Sequence, residues 1–195
     1  RLQLAAITAA TATYGNQLSA KLAPMLPKLG SAAKVRVVAI LDASAEESVI
    51  GTVSDGDEAV RRAALEALGR MGSSASVPVL LAAATDDAKP GKSTAAAALA
   101  RVKGEGAVAA IRQAADAGDS KRRAAAITAL AARNDSEAVP AILRYTRSVD
   151  AGVKSAAFAA LGWAFSNDRT AALLAGAVVL SHWFLDLLVH VPDLT

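Results

Sequence analysis

VRRAALEAL, residues 60–68, is a helix written with one apolar side. Its apolar positions recur three and four residues apart, and Leu65 is the main anchor. The pattern returns as KRRAAAITAL at 121–130, anchored by Ile127, and as VKSAAFAAL at 153–161, anchored by Phe158. Weaker copies are VRVVAILDA with Ile40, STAAAALARV with Leu99 and LQLAAITAA with Ile7. The anchors at 7, 40, 65, 99, 127 and 158 are spaced as a helical repeat spaces them.

A second set of helices lies between these. SVPVLLAAA, AVAAIRQAA and AVPAILRYT put Leu80, Ile111 and Ile142 in equivalent places, 31 residues apart. One more step lands on Leu173 in RTAALLAGA. Each unit therefore reads as a first helix (A), a short turn, a second helix (B) and a linker. The turns are MGSS at 71–74, KGEG at 103–106, RNDS at 133–136 and FSND at 165–168. Glycine closes a helix at low steric cost, and Ser, Asn or Asp caps the next one. Pro78 and Pro140 fall in first turns, where an amide has no intrahelical partner to lose.

Composition agrees with this reading. Of 195 residues, 53% are hydrophobic and only 4% aromatic. Alanine, the best helix former, makes up about a quarter. The net charge of +3 is unevenly spread, since residues 61–160 hold 15 Lys or Arg against 9 Asp or Glu. There is no cysteine, which excludes disulfides and thiolate metal sites. The first stretch, RLQLAAITAATATYG, reads as a helix and not as a signal peptide.

An Asp followed by VRRAALEALG, a turn and VPVLL resembles the HEAT-repeat family, in particular the short HEAT-like units of phycobilisome lyases. The resemblance covers about residues 34–165. It implies an all-α, HEAT-like α-solenoid of about five to six helical hairpins. Residues 1–165 are then the repeats, and 166–195 an apolar C-terminal helix that caps the stack or anchors it. The family serves scaffolds, adaptors and lyase subunits alike, so the fold does not name the function.

One column of charges belongs to the repeat. Asp57 precedes Arg61 by four residues, Asp119 precedes Arg123, and Asp150 precedes Lys154. Such charges are expected to pair within and between repeats. Gly91 and Ala95 replace them in the third unit, so the ladder should break there and leave DDAKPGKS, 86–93, as a weak point.

Candidate functional residues are few. In HEAT stacks the second helices line the inner face, where Gln113 aligns with Arg144 and Asp116 with Arg147. These four are the expected protein-binding surface. The run Lys121, Arg122, Arg123 has no interleaved aromatics, which weighs against nucleic acid as partner. KPGKST at 89–94 resembles part of a phosphate loop but lacks the preceding strand and the first glycine. No catalytic constellation and no cofactor are expected.

The tail SHWFLDLLVHVPDL, 181–194, places His182, Asp186 and His190 four apart on one stripe. Residues 171–191 are long enough to span a bilayer, although a central Asp costs about 2.5–3.5 kcal/mol there. The three polar residues are of a kind suited to a divalent metal, but His182 and His190 stand about 12 Å apart along a helix. The tail also resembles the closing helix of certain small bacterial integral membrane proteins. The expected function is a non-enzymatic scaffold for another protein. A membrane-associated or metal-binding module is the alternative, and an enzyme-subunit role as in bilin lyases a weaker third.

Overall fold

Short alanine-rich helices punctuated by Asp, Ser, Gly and Pro build the whole of the described chain. The structure is a computed structural model, and it describes residues 14, 17–88, 90–133, 138–166 and 181. Among these, the helices are α1 (Leu18–Leu22), α2 (Ser31–Ile40), α3 (Glu46–Thr52), α4 (Glu58–Met71) and α5 (Val77–Thr85). They continue with α6 (Lys92–Arg101), α7 (Ala107–Asp116), α8 (Ser120–Ala132), α9 (Ala138–Tyr145) and α10 (Ala151–Ser166). Short 3-10 turns stand at Ala23–Lys28, Ala43–Ala45 and Ser74–Ser76. No strand occurs among the described residues, and the fold is all-α, of the HEAT-like helical-hairpin class.

Helix starts follow the punctuation. The Asp57 carboxylate accepts from the amides of Ala59 and Val60 at 2.8 and 3.3 Å, and Asp119 accepts from Arg122 N at 3.0 Å. Asp150 accepts from Val153 N at 3.0 Å. Each satisfies amides that the helix leaves free. The start of α6 differs: Gly91 precedes it with φ 110° and no side-chain cap.

The apolar periodicity becomes the core. Leu65, Leu99 and Ile127 on A helices, and Leu80, Ile111 and Ile142 on B helices, are all buried. Each removes enough apolar surface from water to contribute about 1.5–3 kcal/mol. Ile40 and Phe158 are only half-buried. Ile40 is the last residue of α2, and Val38 is fully enclosed in its place; in α10, Val153 and Ala157 are the enclosed residues.

The chain packs as two compact units, residues 1–107 and 108–195. The expected boundary at 165/166 lies at the edge of the described residues. In the first unit, α4 packs between the A helices α2 and α6, and the B helices α3 and α5 lie against α4 and α6. A Cβ at Gly69 would stand 2.8 Å from Ala98 Cα, so α4 and α6 meet where only hydrogen fits. The two A-to-B turns pair through backbone, Gly104 N to Gly72 O and Ser74 N to Glu105 O, each at 3.0 Å.

Side chains also bond residues of successive repeats within each unit. The Glu46 carboxylate accepts from Ser73 N at 2.7 Å, Ser73 Oγ at 3.0 Å and Ser76 Oγ at 2.6 Å. Burial opposes its charge, yet these donors, Ser76 foremost, hold its carboxyl below the usual range. Arg70 Nη2 donates to the carbonyls of Val38, Ala39 and Leu41 at 3.1–3.4 Å, closing the free end of α2. In the second unit, α8 packs on α9 and α10, and Ser120 Oγ donates to Asp150 Oδ1 at 2.8 Å. Ser31 makes the corresponding bond to Asp57 in the first unit.

Candidate functional site

The B helices of the second unit, α7 and α9, present the expected surface. Ile111 and Ala115 face the core from α7, and Ile142 and Tyr145 from α9. Positions one side of these are turned to water: Gln113 and Asp116 on α7, Arg144 on α9 and Arg147 just beyond it are exposed. Pro140 and Leu143 share the exposed stripe of α9, and Val149 follows it fully in solvent.

Geometry joins these residues differently from the 31-residue alignment. Asp116 meets Arg144 at 3.8 Å, not Arg147, and its Oδ1 accepts from Tyr145 Oη at 2.7 Å. Arg144 also lies over the Tyr145 ring, 5.8 Å from its centre. The ion pair is exposed on both sides and contributes little by itself. The tyrosine does more. Burial first, then the bond to Asp116, pushes its hydroxyl up to about 12, so it stays a donor and fixes the carboxylate. Gln113 and Arg147 have no side-chain partner among the described residues.

Tyr145 is the member that sequence reading missed. It stands 31 residues after Ala114, and an aromatic in place of alanine was the available signal.

The charge column takes another form than an ion-pair ladder. Its acidic members are helix caps, and the side chains of Arg61 and Arg123 go to backbone carbonyls. Arg61 Nη1 donates to the carbonyls of Asp55 and Gly56 at 2.7 and 2.9 Å, and Arg123 Nε to Ala115 O at 3.1 Å. Asp119 pairs with Arg122 at 3.4 Å. Lys154 closes the first turn through its amide on Asp150 O at 2.9 Å. The physical reason is geometric: an Asp that caps its helix points its oxygens at the N-terminal amides, and these are better donors for it than a side chain one turn on. Cap bonds and the neighbouring Ser hold Asp57 and Asp150 below the usual carboxylate range: Ser31 leads at Asp57, and the Val153 amide leads at Asp150, where the Arg123 charge adds to it.

KPGKST is preceded by the helix α5, not by a strand, and Gly91 within it is the left-handed residue before α6. His182, Asp186, His190 and the stretch 171–191, apart from Ser181, lie outside the described residues. Among the described residues no helix is long and apolar enough to cross a membrane, and no three His, Asp or Glu side chains converge.

A family model of HEAT repeats matches residues 31–100 and 108–183. The chain belongs to the HEAT-repeat family. No curated protein matches it. HEAT repeats commonly serve as protein-interaction scaffolds. In this HEAT protein, the A helices supply the capped, mutually bonded column, and the B helices of the second unit supply the polar side chains left to solvent.

Proposed function

We propose that this HEAT protein is a non-enzymatic scaffold that presents the α7/α9 face to another protein. The observation that carries the reading is the pairing of fixed and free groups there. Tyr145 holds Asp116 in place, while Arg144, Arg147, Gln113 and Leu143 stand exposed around it. A pre-organised polar centre beside an exposed leucine lowers the ordering cost of association.

Site-specific photo-crosslinking tests it. A crosslinker at Leu143 in the source cells should trap a discrete partner, and Arg144→Ala with Arg147→Ala should cut the yield several-fold with helicity unchanged. Equal yield from the double variant would remove this face from consideration. The alternative, a membrane or metal module on His182, Asp186 and His190, predicts that residues 1–195 need detergent or hold a stoichiometric ion and that a 1–167 truncation does neither.

A further inference from the structure

Charge is unevenly divided over α7, α9 and the turn that follows α9. Among the described residues, Arg112, Arg144 and Arg147 stand there against a single acid, Asp116. The neighbouring carboxylates are engaged with helix starts. Asp119 accepts from the Arg122 amide and pairs with its side chain, and Asp150 accepts from the Val153 amide and from Ser120 Oγ. In the first unit, α3 and α5 occupy the same place in their repeats and hold no Lys or Arg.

Asp116 does not neutralise the two exposed arginines. Its Oδ1 accepts from Tyr145 Oη at 2.7 Å, whereas Arg144 Nη2 stands 3.8 Å away, beyond hydrogen-bond distance. The Arg144 side chain is 68% exposed, and its guanidinium lies over the Tyr145 ring. A ring engages the flat face of a guanidinium and leaves its N–H edge for a carboxylate. Arg147, also exposed, follows in the turn closed by its own amide on Arg144 O at 3.3 Å. Two cations are thus offered about one helical turn apart.

Apolar surface borders them. Leu143 is 50% exposed on α9, and Val149, two residues past Arg147, is 98% exposed. A nucleic-acid backbone makes no use of such side chains, and its phosphates would meet the fixed Asp116 carboxylate as a like charge. Bases need an exposed ring to stack on, and Tyr145 is buried. Carboxylates interleaved with apolar side chains match both the charge and the apolar part of the face.

Taking the scaffold reading above as its basis, we infer that the partner binds this face through an acidic segment of its chain. Its carboxylates meet Arg144 and Arg147, and an apolar residue between them meets Leu143.

Fluorescence anisotropy of the full chain provides the test. The probe is a labelled peptide of two Glu-Leu-Glu triplets joined by Gly-Ser, set against its Gln-Leu-Gln and Lys-Leu-Lys counterparts and oligothymidylate. The glutamate peptide should saturate with a Kd below about 500 µM at ~20 mM salt and bind at least about fivefold more tightly than the other three. Raising the salt to ~150 mM should weaken it at least about threefold. Arg144→Glu with Arg147→Glu should turn the preference to the lysine peptide with helicity unchanged, whereas Lys121→Glu with Arg122→Glu should keep the glutamate preference. No saturable binding, equal binding of the glutamine peptide, tighter binding of oligothymidylate, or glutamate binding that survives the reversal of Arg144 and Arg147 would each overturn the inference. The crosslinker at Leu143 separates it from the scaffold reading. A partner trapped through a neutral or basic segment overturns the acidic segment alone, and no trapped partner removes both.

Discussion

Glu46 accepts three hydrogen bonds from a turn 27 to 30 residues further on, and one of the donors, Ser76, is fully buried. Replacing it by Ala leaves that hydroxyl without an acceptor, so Glu46→Ala should cost about 1–3 kcal/mol in urea unfolding, and Glu46→Gln less. At alkaline pH the relevant residue is Tyr145. Its native hydroxyl titrates at about 12, above the value of about 10 in an unfolded chain, so its contribution is intact below pH 10 and is lost as pH rises through 12. Absorbance at 295 nm should show one tyrosine ionising near pH 12, and Tyr145→Phe should remove that step. Residues of this kind were half legible. The Asp positions stood out because they recur with the repeat, but their partners did not, because a cap and an ion pair share the same sequence spacing and differ only in where the carboxylate points. Tyr145 and Glu46 act across repeats, on residues that no local pattern joins to them.

Helices were the most legible level. The period of 31 residues placed Leu80, Ile111 and Ile142 in the core, and all three are buried there. What periodicity could not show is how closely helices approach. Gly69 sits in the middle of α4 with the Ala98 backbone against it, whereas nothing lies within 4 Å of a Cβ at Gly51 in α3. Gly69→Ala should therefore destabilise by about 1–3 kcal/mol through overpacking. Gly51→Ala should stabilise by about 0.5–1 kcal/mol, because it removes backbone freedom from the unfolded chain without a clash. Denaturation midpoints of the two variants, measured side by side, check the contrast. At α6, the missing carboxylate cap predicts first-turn amides that exchange with deuterium faster than those of α4 and α8.

For the molecule as a whole, carboxylates set the response to acid. Asp42, Glu46, Asp55, Asp57 and Asp150 all titrate below their ordinary values, so the unfolded chain binds more protons as pH falls through about 4. Stability should be flat between pH 7 and 5 and fall below about pH 4, with Asp150→Asn reducing the slope. Urea midpoints across that range provide the measurement. Four of the side-chain bonds described above share one more property: Arg70–Val38, Glu46–Ser73, Ser120–Asp150 and Tyr145–Asp116 join residues 27 to 32 positions apart. A chain emerging from the ribosome meets each of these partners as soon as the next hairpin has cleared the exit tunnel. Assembly can thus proceed during synthesis, one layer after another, and a stalled nascent chain would already hold every tie that its length allows.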